Sequence, residues 1–340
     1  MPVARIVLAV DGNAIVHRAF HAQAVTGFRC PAGRPRWAVR GLLTQLVAAV
    51  ERVGPDVIVV GFDDPDASER RTRWPEYKAQ RVTKLDTLVD QLAAAADALR
   101  ELGVAVVIPT GLEADDVLAS VARQAPAVGA TTVVVTSDRD AFGLIDAHTR
   151  VLRIINGGVE ASPLLTAERL VTLLGVRPDQ YRDFAALRGD PSDNLPGVRG
   201  IGAKTAARLL AAFGTARAAF DDLVAVADAL GSGVAARLAV PGARATWELN
   251  CQVMAMRADV AVDLSGGIGA LPFLPAAVRA AYAPLELPWT AATALRVLAQ
   301  DPSTAAPPTP VEPDWNPPPR RGRFLPPLRK RPTVDQLALF

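Results

Sequence analysis

The sequence predicts an α/β fold, a mostly parallel central sheet flanked by helices. Two observations carry this expectation. Runs rich in Val and Ile recur without apolar–polar alternation, as in "RIVLAV" (5–10), "DVIVVGF" (56–62), "VAVVIP" (104–109) and "TTVVVTS" (131–137). Such runs suit strands buried on both faces. Segments of helical periodicity lie between them, and that alternation argues βαβ units.

Taken in order, "RIVLAV" is the first strand. "WAVRGLLTQLVAAVERV" (37–53) has the period of an amphipathic helix, and the second strand follows it. "LDTLVDQLAAAADALRELG" (85–103) is a long helix that stops near a glycine, a usual C-terminal signal. After the third strand, "GLEADDVLASVARQ" opens a helix whose first turn is acidic, as the helix dipole favours. From about 165 to 260 the character changes. "AERLVTLLG", "PDQYRDFAALRG" and "AKTAARLLAAFG" read as short helices with Gly-rich connections. Residues 266–300 give no clear assignment. Residues 301–332 hold eleven prolines, so an extended linker is expected there.

Bulk properties narrow the classes. The chain has 340 residues, half of them hydrophobic, enough for one large domain or two ordinary ones. Net charge is +2, so any affinity for nucleic acid must come from local patches. Cys30 and Cys251 are the only cysteines, which excludes a disulfide framework or a structural zinc site and fits a reducing cytoplasm. No signal-peptide pattern or bilayer-spanning stretch is present. A soluble cytoplasmic protein with no membrane partner is expected.

The acids carry the chemistry. Asp11 follows the first strand and Asp63 ends the second. Glu113, Asp115 and Asp116 open the helix after the third, and Asp138 and Asp140 follow the fourth. Asp190 and Asp193 lie in a polar turn just beyond. Ligands of open α/β sheets bind at the carboxyl ends of the strands. One such Asp can be a turn former or a helix cap. Nine converging on one edge need cations to neutralise them, and hard divalent ions such as Mg²⁺ take oxygen ligands. His17, His21 and His148 are scattered relative to these motifs, which argues against a zinc hydrolase.

Two stretches suit phosphates. In "ERRTRWPEYKAQR" (69–81), Arg70, Arg71, Arg73, Lys78 and Arg81 are interleaved with Trp74 and Tyr77, the ingredients of single-strand binding. In "LPGVRGIGAKTAARLL" (195–210), Gly197, Val198, Gly200, Ile201 and Gly202 make a tight turn before a helix carrying Lys204 and Thr205. This helix-hairpin-helix pattern grips duplex backbone without reading sequence.

With "VDGNAIVHRAFHA", "VVGFD", "YKAQR", "GLEADDVLA", "TSDRD", "LRGDPSDNLPGVRGIGAKTAARLL" and "NCQVMAMRADV" in that order, the chain resembles the 5′-nuclease (flap endonuclease) family. In particular it resembles the 5′→3′ exonuclease domain of bacterial DNA polymerase I, in stand-alone form. The resemblance covers roughly residues 5–300. It implies a PIN-like 5′-nuclease fold and hydrolysis of phosphodiester bonds by two Mg²⁺ or Mn²⁺ ions, held by the nine acids named above. It implies a helical arch at about 64–84, with Lys78 on the scissile phosphate, Arg70 and Arg81 helping to hold it, and Tyr77 stacking on an unpaired base. The helix-hairpin-helix region, about 182–215, would hold duplex, with K⁺ on backbone carbonyls. Substrates would be branched or nicked DNA and RNA primers on DNA, met by a nucleoid-associated monomer in bacterial replication and repair. Asn13 and His17 replace residues that relatives often carry as His and Tyr, and Asp64 has no counterpart. No polymerase domain is expected after residue 340.

The tail ends "DQLALF". Gln336, Leu337, Leu339 and Phe340 resemble the short peptide by which bacterial replication proteins bind the sliding clamp. Disordered arms are usually polar, so this apolar end is conspicuous. A domain at 1–300, a basic Pro-rich linker at 301–333 and a clamp peptide at 334–340 are therefore expected. Two other readings stay open: a non-catalytic DNA-junction-binding protein docked on the clamp, and a metal-dependent phosphatase of small molecules, which would leave the turn and the basic stretch unexplained.

Overall fold

A computed structural model describes residues 5–81 and 84–300. The central sheet has the strand order β3-β2-β1-β4-β5-β6, with β1 Arg5–Asp11, β2 Val57–Gly61, β3 Ala105–Val107, β4 Ala130–Thr136, β5 Thr149–Arg153 and β6 Leu164–Leu165. β1 to β5 pair in parallel, and only β6 runs antiparallel, at the edge beside β5.

Both faces are buried, and successive residues alternate between two cores. Val7, Ala9, Val57, Val59, Val134 and Val151 face one core. Leu8, Val10, Ile58, Val60, Val133, Val135 and Leu152 face the other. The second core is closed by α1 Gly12–Gln23, α2 Trp37–Val53 and α4 Asp86–Leu102, which follow and precede the short α3 Glu69–Arg73. The first is closed by α5 Ala114–Gln124 and, after the four-residue α6 Gly158–Ala161, by α7 Ala167–Leu174, α8 Tyr181–Arg188 and α9 Ala203–Phe213. α10 Ala216–Asp221, α11 Leu223–Leu230, α12 Ser232–Leu238 and α13 Ala243–Val253 complete the helical region.

Residues 266–300, which the sequence left unassigned, hold α14 Pro275–Tyr282 and α15 Pro288–Leu298. Phe273, Val278, Tyr282, Leu285 and Leu298 return to the second core, where the Tyr282 hydroxyl donates to the Leu43 carbonyl at 3.0 Å. Each helix begins with Pro at its first position, where the missing N–H costs nothing. α2, the long helix α4 and the first four strands lie where periodicity put them. No helix among the described residues is long and apolar enough to cross a membrane. The expected linker and clamp peptide, Gln336, Leu337, Leu339 and Phe340 included, lie outside the described residues.

Parallel register aligns the strand ends. Asp11 is level with Gly61, Gly61 with Val107, and Thr136 with Arg153. Connections leaving β1, β2, β4 and β5 therefore share one edge. Beyond them β7 Gly189–Asp190 pairs antiparallel with β8 Leu195–Pro196, and the glycine turn leads into α9. Two glycine backbones meet here. A Cβ on Gly197 would lie 2.1 Å from the Arg188 carbonyl oxygen. Val198 and Ile201 are buried beneath the turn.

Gly197→Ala is therefore expected to lower unfolding stability by about 1–3 kcal/mol, the usual cost of overpacking. Gly143→Ala, where a Cβ meets open space, should stay within about 0.5 kcal/mol. Urea midpoints of the two variants measured side by side check both.

Candidate nucleic-acid and metal site

At the carboxyl edge a cavity of about 860 Å³ is lined by Asp11, Asp63, Glu113, Asp115, Asp138 and Asp190. Asp116, Asp140 and Asp193 stand beside it. Asp11 is buried and caps α1, accepting from the Ala14 N–H at 2.8 Å and the Thr136 hydroxyl at 2.7 Å. Burial pushes its carboxyl up to about 7, and Asp63 and Asp138 push the same way against those two hydrogen bonds. Asn13 donates its side-chain amide to Asp63 at 2.6 Å and accepts from the Asp63 N–H, so it fixes that carboxylate. Asp63 also accepts from the Ala114 N–H at 3.0 Å, which ties the end of β2 to the start of α5.

Glu113 and Asp116 cap α5 reciprocally, each accepting from backbone in the first turn. Asp116 is only 1% exposed and accepts from the N–H of Glu113 at 3.0 Å and of Arg257 at 2.7 Å. It is an internal anchor. Asp64, which the resemblance left without a counterpart, is another: it accepts from the N–H groups of Gly111 and Asp66 and pins the loop after β2.

The segment after β2 lies against these acids. The buried Arg70 guanidinium donates to Glu113 at 2.8 Å, Asp115 at 3.0 Å and Asp116 at 2.6 Å. Burial opposes its charge, but Asp115, Asp116 and Glu113 outweigh burial and hold it above the usual range. Lys78 donates to Glu113 at 3.0 Å. Burial raises the Glu113 carboxyl, yet Lys78 and Arg70 prevail and hold it below the usual range. Asp115 goes the other way: burial, with Asp116 and Glu113 beside it, pushes it up to about 8. Burial and Asp138 push Asp140 well above the usual carboxylate range. Arg81 pairs with Asp193 at 2.6 Å.

Two expectations change here. Only Glu69–Arg73 is helical within 64–81, and α3 ends before Pro75. The rest folds as a turn against residues 190–195, where the Lys78 N–H donates to the Asp193 carbonyl at 3.0 Å and Asn194 donates to the Glu76 carbonyl at 2.8 Å. Tyr77 is buried among Trp74, Leu195, Val253 and Met254, with its hydroxyl donating to Glu113 at 3.0 Å. It presents no open ring face for an unpaired base in this arrangement, because the acid cluster holds its hydroxyl.

His17 and His21 are not remote from the acids: both line the cavity. His148 lies at the opposite end of the sheet, its carbonyl accepting from the Thr132 N–H near the start of β4. Arg18, Lys84, Arg139, Asn156 and Arg188 also line the cavity and went unmarked in the sequence. The spacing 13, 17, 21 was the available signal, since residues four apart share a helix face. Lys204 is exposed at the start of α9 and Thr205 half-buried after it.

Among the described residues no three His, Cys, Asp or Glu side chains close into a ready cage for an ion. The donor chemistry still fits a hard cation. The set is all-oxygen, Asp11, Asp115 and Asp140 resist ionisation as they stand, and Arg70 supplies one positive charge to three of the acids. An ion that keeps several of its waters does not require direct ligation by three side chains.

Known proteins share the chain's family and its fold. Residues 6–172 match the family model of the 5′-3′ exonuclease N-terminal resolvase-like domain, and residues 176–267 match the 5′-3′ exonuclease C-terminal SAM fold. DNA polymerase I of Mycobacterium tuberculosis is 39% identical over 232 residues, 68% of this chain and 26% of that protein. The thermostable DNA polymerase I of Thermus aquaticus is 39% identical over 217 residues, 64% of this chain and 25% of that one. The chain thus spans about a quarter of the length of these relatives. The crystal structure of T5 D15 protein co-crystallised with metal ions has the same fold, with a TM-score of 0.54 at 16% identity, covering 74% of this chain and 98% of that one. The catalytic core of Rad2 in complex with DNA substrate does too, with a TM-score of 0.56 at 16% identity, covering 87% and 92%.

One property follows from the site's basic wall. Burial lowers His17 to about 4, and Lys84, His21 and Arg81 act in the same direction. An unfolded His binds its proton near pH 6.5. The unfolded chain therefore binds more protons between about pH 6.5 and pH 4, and folding stability falls as pH drops through that window. His17→Gln should flatten this limb by about 1–3 kcal/mol, as read from urea unfolding at a series of pH values.

Proposed function

The chain belongs to the 5′-3′ exonuclease family, and we propose that it is a divalent-metal-dependent, structure-specific 5′→3′ exonuclease and flap endonuclease. The observation that carries this is the convergence of carboxylates from β1, β2, α5 and the β4 connection with the cations of 69–81 and the glycine turn before α9. Asp11, Asp63, Glu113, Asp115, Asp138, Asp140, Asp190 and Asp193 would hold two Mg²⁺ or Mn²⁺ ions, with Asp116 supporting Glu113. Bound there, such ions supply Lewis acidity to a phosphodiester and lower the pKa of water.

The chain's own residues do the rest. Lys78 and Arg81 offer cations to the phosphate backbone, and Arg70 offers a third when it leaves the acids. Asn13 and Thr136 hold Asp63 and Asp11 in fixed orientations. The turn Gly197–Gly202, Lys204 and Thr205 would bind duplex through its backbone, with K⁺ on the turn's carbonyls. Small residues allow that close approach.

Branched or nicked DNA and RNA primers on DNA are the proposed substrates, in Okazaki-fragment processing and repair in a bacterial cytoplasm, with the chain acting as a monomer near the nucleoid. Gln336, Leu337, Leu339 and Phe340 would dock on the sliding clamp through the 301–333 linker. A nuclease domain at 1–300 followed by that linker is part of the same proposal.

The test is cleavage. With Mg²⁺, purified protein should cut a 5′-flap substrate, and Asp138→Ala should slow it by at least ~10³-fold, the several kcal/mol that ion-mediated charge stabilisation contributes. Flap affinity should hold. A wild-type protein that binds the flap and leaves it whole would overturn the proposal. Removing residues 335–340 should abolish binding to the cognate clamp while flap cleavage continues; clamp affinity unchanged by the deletion would remove that part.

A further inference from the structure

A second cavity, of about 460 Å³, is bordered by α5, by the turn after β4 and by α8. Three carboxylates line it: Asp140, Asp146 and Asp179. Asp146 accepts from the N–H groups of His148 and Thr149, and Asp179 accepts from the Arg177 guanidinium. Asp140 is different, because among the described residues no group donates to its side chain. Tyr181 lines the same cavity. It opens α8, is 1% exposed, and its hydroxyl is sealed from solvent without a hydrogen-bond partner. A buried phenol normally finds an acceptor. The ring is held between Phe142, with centroids 5.3 Å apart, and Phe184, at 5.9 Å. Phe142 follows Asp140 by two residues in the short turn Asp140–Leu144, so this packing ties ring and acid to one another. Among the charges around Tyr181, Asp140 acts most strongly, ahead of Arg188, Asp138 and Arg139.

Resting on the nuclease reading above, we propose that Tyr181 is a positioning residue for Asp140, its hydroxyl donating to that carboxylate in the chain that holds a divalent cation. An unpartnered donor and an unpartnered acceptor line one cavity, and the other two carboxylates there are already engaged. A phenol can aim a carboxylate without cancelling the charge a cation needs. Asn13 and Thr136 do the same for Asp63 and Asp11. The bond counts most where Asp140 is charged, since hydrogen bonds to ionised acceptors are roughly twice as strong as neutral ones. In the metal-free chain the hydroxyl is a net cost, because a buried donor without an acceptor has lost its hydration and gained nothing. Phenylalanine would fill the same place between Phe142 and Phe184 and could not donate.

The test is Tyr181→Phe in the full chain, read in two ways. Without metal, its urea midpoint should equal or exceed that of the wild type, because the unpaired hydroxyl is gone. Mn²⁺ titrated by calorimetry into the metal-free chain, with no DNA present, should bind about tenfold more weakly than to the wild type in at least one binding step. Tyr282→Phe is the control. It loses a hydroxyl already paired with the Leu43 carbonyl, so its midpoint should fall while its Mn²⁺ affinity holds. Wild-type Mn²⁺ affinity in Tyr181→Phe would overturn the inference. So would weaker binding accompanied by a lower metal-free midpoint, the mark of a merely structural role. With flap cleavage by the wild type intact, either result removes only this inference. A wild-type chain that takes up no Mn²⁺ and cuts no flap fails the nuclease reading and this inference together.

Discussion

Crowding of like charge at one sheet edge is the constraint on which this structure turns. The acids arrive there because parallel strands end level with one another, and because both sheet faces are filled with apolar side chains that leave no other place for charge. Repulsion at such spacing is severe in a partly desolvated cavity. The chain answers it within one segment. Arg70 donates to three carboxylates at once, Lys78 to one of them, and Arg81 to Asp193. Taken one by one these are partly buried ion pairs, whose desolvation cost can match their attraction. As a set they remove the larger penalty of buried acids without counter-charge.

That answer explains the shape of 64–81. A segment tied down by Arg70 and Tyr77 at one point, and by Lys78 and Arg81 at another, cannot stand clear of the site as a long helix. It folds as a single helical turn and a loop. Its backbone joins the sheet edge to the helical region through Asp193 and Asn194. Lys78 adopts a left-handed φ of 56° to do so. The same contacts bury Tyr77.

The sheet was legible because its signal is local and repeated. Uninterrupted Val and Ile runs report burial on both faces, and an Asp directly after the first, second and fourth of them reports the edge. α1 was harder to see, since "GNAIVHRAFHAQ" mixes polar and apolar residues and begins directly at a strand end. Its spacing of four placed Asn13, His17 and His21 together, but only a known helix makes that spacing meaningful. β5 was hidden because "TRVLR" carries two arginines. The arginine wall was missed for the same reason: Arg18, Arg139 and Arg188 come from three distant segments, and nothing in sequence joins them.

Charge counting also treated the nine acids as equivalent, and hydrogen bonds separate them. Asp116 spends its oxygens on the N–H groups of Glu113 and Arg257 and on Arg70, so it holds three segments in place. Asp63 and Asp11 each keep a side-chain partner, Asn13 and Thr136, that orients a carboxylate still open to the cavity. Asp190 caps its own turn through Ser192. Neutral donors such as Asn13 and Thr136 can aim a carboxylate without neutralising it, whereas Arg70 and Lys78 neutralise at the cost of occupying it. An edge that must present negative charge to a cation therefore needs both kinds of partner, and the division runs between the β1–β2–β4 acids and the α5 acids.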